Sequence, residues 1–278
     1  MNKKRLIDIF TTASLCRNFE KIVYKNVENK NIKLPVYLSA GQEFISTTIA
    51  NILSQKKIKP LIFAQHRAHS TYLSFGGSII QLIDELLGKK SGCAYGMGGS
   101  ASIHSKNIAM YGHDGHMGTQ APIGVGACFA SKKPTIVFLG DASAEEDYVL
   151  GALGWASTKN LPILFIVEDN NFSILTKKEV RRNWDMHKVA KSFNLIGFNI
   201  NDDPLEIFKH SENFFQKPML LNINTNRLFW HSGAGQDSKT TFDRYSVMKK
   251  KLNSLGDNID KKMFIKIDKL WQSRLEKR

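Results

Sequence analysis

GDASAEEDYVLGALGWASTKNLPILFIVEDNNF, residues 140–172, sets an acid, Asp141, near its start and two amides, Asn170 and Asn171, near its end. Between them Val149, Leu150, Leu153 and Ala156 recur at helical spacing, and LPILFIVED (161–169) follows as a continuous apolar run led by a proline. The same grammar appears in KPTIVFLGD (133–141) and KPMLLNINT (217–225). Uninterrupted apolar runs of this length read as strands covered on both faces, the habit of a parallel sheet. The first two runs and the helix between them make one βαβ unit, and Ser143-Ala144-Glu145-Glu146 has the form of a capping box that starts the helix at 143 or 144.

Working outward, residues 42–53 and 79–87 read as helices and 61–64 as a short strand. GCAYGMGGS (92–100) opens a long loop through YGHDGHMGTQ (111–120), and structureless stretches of that length are usually functional. From about Ser246 the composition turns basic, and Met263, Phe264, Ile267, Leu270, Trp271 and Leu275 mark one face of a terminal helix. The expected fold is α/β, a mostly parallel sheet with helices on both faces. It forms one domain over residues 1–278, with a basic helical C-terminal segment from about 246.

A 278-residue chain with 42% hydrophobic residues can bury a sizeable core. Cys16, Cys93 and Cys128 are too few and too scattered for a disulfide scaffold or for metal-ligand spacing. Asp8 interrupts the apolar run behind Met1-Asn2-Lys3-Lys4-Arg5, which argues against a secretion signal, and no apolar run approaches the roughly 20 residues of a membrane helix. A cytoplasmic location with no membrane partner is expected. The net charge of +14 gathers in lysine runs such as Lys249-Lys250-Lys251, without interleaved aromatics or a nucleic-acid module, so no nucleic-acid partner is expected.

Asp141 and Asn170 both follow strands, where open α/β sheets bind ligands. A hard cation such as Mg²⁺ takes oxygen ligands, and a carboxylate, an amide oxygen and a nearby carbonyl supply three. A helix starting just after Asp141 would aim free N–H groups at phosphate. Taken alone, the pair also matches two ordinary strand-end turns.

The stretch 140–172 resembles the thiamine diphosphate motif, which begins Gly-Asp-Gly and ends at Asn. RNFE (17–20), LSAGQE (38–43), QHRAHS (65–70), GMGGSASIH (96–104), YGHDGHMGTQAPIGVGACFA (111–130) and TNRLFWHS (225–232) stand in family order. With them nearly the whole chain resembles the α subunit of the E1 component of 2-oxo acid dehydrogenases, which include the pyruvate, branched-chain and acetoin enzymes. The resemblance implies a thiamine diphosphate-binding fold, the cofactors thiamine diphosphate and Mg²⁺, and decarboxylation of a small 2-oxo acid. It implies Mg²⁺ on Asp141, Asn170 and the carbonyl of Phe172, and the diphosphate on Arg67, His66, Ala142 and Ser143. Gly115 and Met117 would meet the aminopyrimidine through their backbones. His231 would stand at the reacting centre and His69 at the substrate entrance, as the catalytic pair. A β subunit would complete an α₂β₂ assembly, and helix 118–132 and the terminal helix with Trp271 are the expected apolar faces for association.

The departures from the family pattern are specific. Ala142 replaces a glycine, His66 a tyrosine, Asp114 a glycine or histidine, Gly151 a glutamate and Trp230 a glycine, so a reshaped substrate pocket is expected. The chain is also short for the family at its N-terminus and after His231. Three other readings share these motifs: the N-terminal half of a split transketolase, a thiamine-dependent synthase with another acyl acceptor, and a non-catalytic partner subunit. A transketolase should show Ser-x-Gly-His near its N-terminus, where this chain shows LSAGQE.

Overall fold

The computed structural model describes residues 1–232 and 242–276. Its strands are β1 (Leu61–Phe63), β2 (Met110–Tyr111), β3 (Thr135–Gly140), β4 (Ile163–Asp169), β5 (Phe172–Ser173), β6 (Thr176–Lys177), β7 (Ile196–Asn201) and β8 (Met219–Asn224). Its helices are α1 (Lys3–Glu28), α2 (Glu43–Gln55), α3 (His69–Ser74), α4 (Ile79–Leu86), α5 (Gln120–Ser131), α6 (Asp147–Thr158), α7 (Lys178–Arg181), α8 (Met186–Ser192), α9 (Pro204–Lys209), α10 (Arg244–Lys251) and α11 (Asn253–Leu275). Six strands form one parallel sheet in the order β2-β1-β3-β4-β8-β7, and β5 and β6 make a separate antiparallel hairpin.

The apolar runs fill both faces of this sheet. Ile136, Phe138, Leu164 and Ile166 join the core beneath α1, α2, α3, α4 and α11. Their neighbours Val137, Leu139, Phe165 and Val167 join the core beneath α5, α6 and α8. Strand periodicity thus sends alternate side chains to opposite helix layers, which is why the sequence shows no polar alternation there. The edge strand β7 escaped the pattern because Asn199 and Asn201 point to its exposed side.

The start of α6 differs from expectation. Ser143 does not cap the helix; its Oγ accepts from the Gly140 N–H at 2.9 Å and donates to the Gly140 carbonyl at 3.0 Å. That hydroxyl tightens the turn after β3, so Ser143–Glu145 form a 3₁₀ turn and α6 begins only at Asp147.

The basic C-terminal segment is helical from Arg244. Ile267 and Trp271 of α11 are fully buried, and Trp271 lies 6.0 Å from the Phe19 ring of α1. Phe264, one heptad earlier on the same stripe, stays 45% exposed. Arg17 ties α1 to two other elements. It holds the buried Glu43 at the start of α2 and donates at 2.9 and 2.8 Å to Asp243, the N-cap of α10. The motifs RNFE and LSAGQE therefore meet in a buried ion pair. Among the described residues no helix is long and apolar enough to cross a membrane.

Candidate functional site

In the order 2-1-3-4 the chain leaves β1 in both directions, so a crevice opens beyond the carboxyl ends of β1 and β3, where doubly wound sheets bind ligands. A cavity of about 210 Å³ lies there. Gln65, His66 and Arg67 reach it from the end of β1, Gly140 to Ser143 from the end of β3, and Asn170 and Phe172 from the end of β4. Met117, Glu146, Ile174, Arg227 and His231 complete the wall. Nine of the eleven sequence-derived site residues, from His66 to His231, share this one cavity; Gly115 and His69 do not line it.

Asp141 is buried, and its carboxyl is pushed up to about 6, first by burial and then by the Asp169 carboxylate. Arg181 takes its Oδ2 at 2.7 Å and reaches Glu145 at 3.1 Å, while Arg182 donates to the Asp141 carbonyl at 3.1 Å. The Asn170 amide nitrogen donates to Gln42 Oε1 at 3.0 Å, which turns its oxygen to accept from the Phe172 N–H at 3.2 Å. Ala142 sits at φ −73°, ψ −42°, ordinary right-handed backbone, so this turn accepts the methyl group that replaces the family's glycine.

Arg67 is buried and spends its fork on protein acceptors: Leu38 O at 2.8 Å, and His231 O and Nδ1 at 3.3 and 3.2 Å. His66 is 9% exposed, its Nε2 has no hydrogen-bond partner among the described residues, and burial holds its pKa well below the usual histidine value, with Arg67 and His113 adding to the effect. Tyr37 stands edge-on to both His66 and His231, at 4.9 and 5.8 Å between ring centres. His69 is fully buried behind this wall, with Nδ1 on Glu20 at 3.1 Å and Nε2 on Ser100 Oγ at 2.9 Å. Gly115 holds φ +108° in the loop before α5, a conformation that favours glycine. Met117 is 41% exposed at the cavity mouth, and its carbonyl accepts from the Tyr148 hydroxyl.

Trp230 corrects one expectation. Its ring stacks on Tyr24 at 4.6 Å and its Nε1 donates to Val36 O at 3.0 Å, so it fills the core instead of reshaping the cavity wall. Arg227 is a wall residue without an assigned role in the motif reading, although it stands inside TNRLFWHS. Arg181 and Arg182 carried no sequence signal, because they meet Asp141 across 40 residues through a hairpin and a single helical turn.

The donor set suits a magnesium diphosphate. An acceptor-rich pair of strand ends, Asp141 and Asn170, faces a wall of donors that includes a buried, unpartnered imidazole nitrogen. Among the described residues no three His, Cys, Asp or Glu side chains converge. A hard cation held by one carboxylate, one amide and one carbonyl, with phosphate and water completing the shell, does not require such a cluster.

Comparison with known proteins gives these features a context. The family model for the dehydrogenase E1 component matches residues 11–268. The chain belongs to this family. Among curated relatives, the pyruvate dehydrogenase E1 component subunit alpha of Rickettsia prowazekii (strain Madrid E) is 30% identical over 247 residues, covering 83% of this chain and 74% of the relative. The mitochondrial pyruvate dehydrogenase E1 component subunit alpha of Chaetomium thermophilum is 30% identical over 181 residues, 63% of this chain and 43% of the relative. The alpha-1 subunit of Arabidopsis thaliana is 29% identical over 180 residues, 63% and 46% of the two chains. The chain thus spans less than half the length of two of these relatives, and its likeness within the E1 family is to α chains.

Proposed function

We propose that this chain is the α subunit of a thiamine diphosphate- and Mg²⁺-dependent 2-oxo acid dehydrogenase, with the cofactor's diphosphate in the cavity at the ends of β1, β3 and β4. The observation that carries the reading is the convergence of His66, Arg67, Asp141, Ala142, Ser143, Asn170, Phe172 and His231 on that cavity from four separate segments. Asp141, Asn170 and the Phe172 carbonyl would hold the metal, His66 Nε2 would meet a phosphate oxygen, and the backbones of Gly115 and Met117 would border the pyrimidine. The bound cofactor would supply the electron sink that lets a small 2-oxo acid lose carbon dioxide. His231 would stabilise charge or move a proton beside the reacting carbon, and His69 would act from behind the wall through Ser100.

An uncovered face beside the cavity mouth supports a β partner. Ile123 and Phe129 of α5 and Tyr148 and Trp155 of α6 are 37–54% exposed, and Phe129 packs edge-on against Trp155 at 5.7 Å. Covering what remains exposed of these four side chains would contribute roughly 3–6 kcal/mol before association costs. On the other expected association face, the terminal helix, Trp271 is already buried against α1, while Phe264 and Ile265 stay 45% and 44% exposed.

The test is calorimetric titration of thiamine diphosphate with Mg²⁺ into the chain mixed with its β-like partner. Saturable, metal-dependent binding is expected, and Asp141→Ala should abolish it while circular dichroism stays native. A folded Asp141→Ala chain that binds as tightly as the parent refutes the metal assignment. Robust 2-oxo acid decarboxylation by the isolated chain, measured with an artificial electron acceptor, refutes the need for β.

A further inference from the structure

His231 Nδ1 faces two guanidiniums. Arg67 Nη2 lies 3.2 Å from it, and Arg227 Nη1 lies 3.2 Å from it on another approach. A guanidinium carries only N–H donors and no accepting lone pair. Both contacts are hydrogen bonds only if Nδ1 is the bare, accepting nitrogen, which excludes the Nδ1–H tautomer and the imidazolium alike.

Both arginines are anchored, so the arrangement is built and not incidental. Arg67 Nη1 donates to Leu38 O at 2.8 Å, and Arg227 Nη2 donates to Ile174 O at 2.7 Å, with its guanidinium 5.7 Å from the centre of the Phe172 ring. Arg67 also donates to the carbonyl of His231 itself, fixing backbone and ring together. The histidine ring is held edge-on by Tyr37.

We infer that Arg227, together with Arg67, is a positioning residue that fixes His231 as the neutral Nε2–H tautomer, so that His231 enters the reaction as a hydrogen-bond donor through Nε2 and not as a base. This deepens the proposed function and rests on it for the word reaction; the tautomer itself rests on geometry alone. A donor of this kind suits oxygen that gains negative charge, as a substrate carbonyl does when its carbon is attacked.

The experiment has a readout that needs no turnover. The full chain labelled with ¹⁵N-histidine, with His231 assigned by loss of its signals in His231→Asn, is examined by long-range ¹H–¹⁵N correlation, which separates pyridine-like from pyrrole-like nitrogens. A bare Nδ1 and a protonated Nε2 are expected. Arg227→Met should give a tautomer mixture, and Arg227→Lys, which restores a donor without an acceptor, should return the parental pattern. An Nδ1–H or imidazolium pattern in the parent overturns the inference, and so does an unmixed Nε2–H pattern in folded Arg227→Met, which would leave Arg67 sufficient alone. In the assembled enzyme at saturating cofactor, Arg227→Met should lower kcat in proportion to the Nε2–H fraction it loses, by about 2- to 10-fold, with a smaller change in KM, and Arg227→Lys should recover most of it. If the parental NMR pattern stands while the parent assembly turns over no 2-oxo acid, the functional reading fails and the tautomer assignment survives.

Discussion

Replacing Arg17 with methionine should expose how much of the fold depends on one buried charge. The guanidinium lies against Glu43, whose side chain is fully buried, and also holds Asp243. Removing it leaves the Glu43 carboxylate in the core with no cation beside it among the described residues, held by backbone N–H groups such as that of Gly41 at 3.0 Å. Breaking a buried pair from one side costs about 3–5 kcal/mol, because the remaining charge is uncompensated. Equilibrium urea denaturation should show a loss of that size for Arg17→Met. The double variant Arg17→Met/Glu43→Gln should recover part of it, with a coupling of about 0.5–3 kcal/mol. The pH dependence has a definite sign. Burial already raises the Glu43 carboxyl, and Arg17 opposes that rise. Without Arg17 the folded-state pKa climbs further above the unfolded one, so stability is retained at low pH and lost as pH rises through the new value. Arg17→Met should therefore fall further behind the parent at pH 8 than at pH 5. A single-variant cost below about 1 kcal/mol, or strictly additive effects in the double variant, would show that the pair is not what joins α1 to α2.

Gly41→Ala should destabilise the chain by more than about 1 kcal/mol and weaken cofactor binding, measured by denaturation and calorimetry, because Gly41 holds φ +97° and an added Cβ would sit 2.1 Å from Asn226 O beside Arg227. Trp271→Ala should cost about 3–5 kcal/mol in the same denaturation assay; a cost near zero would mean that α11 does not need its anchor. Asp243 and Asp260 are both held down to about 2 despite partial burial, Asp243 chiefly by Arg17 and Asp260 by Lys249 and Asn18. Their contribution is present above the ordinary Asp value near 3.8 and lost as pH falls toward 2, so acid should loosen α10 and α11, seen as a change in tryptophan fluorescence over that window.

Much of this architecture was legible because the chemistry of a central parallel strand is written locally. The runs at 133–141, 161–169 and 217–225 became β3, β4 and β8, since strands buried on both faces tolerate only apolar residues. β7 was missed for the opposite reason, as an edge strand keeps polar side chains. The convergence of Asp141, Asn170, Arg67 and His231 followed from strand-end positions and motif order, but their hydrogen bonding did not. Arg181 on Asp141, Gln42 on Asn170 and Arg227 on His231 are contacts between distant segments, with no spacing signature. The capping reading of Ser143 failed because one hydroxyl had two possible backbone partners, and Gly140 was nearer than the helix.

The pairing of α1 with α11 bears on how the protein is made. Phe19 leaves the ribosome well before the indole that covers it, on Trp271. About 250 residues separate them, so at synthesis rates of about 5–20 residues per second the nascent chain carries an uncovered aromatic patch for roughly 13–50 seconds. During that interval α2 and the sheet can form beneath α1, while its outer flank stays adhesive toward other nascent chains or holding chaperones. Yield in the cell should then depend on translation speed through the codons of α11 more than on the codons of the cofactor turn.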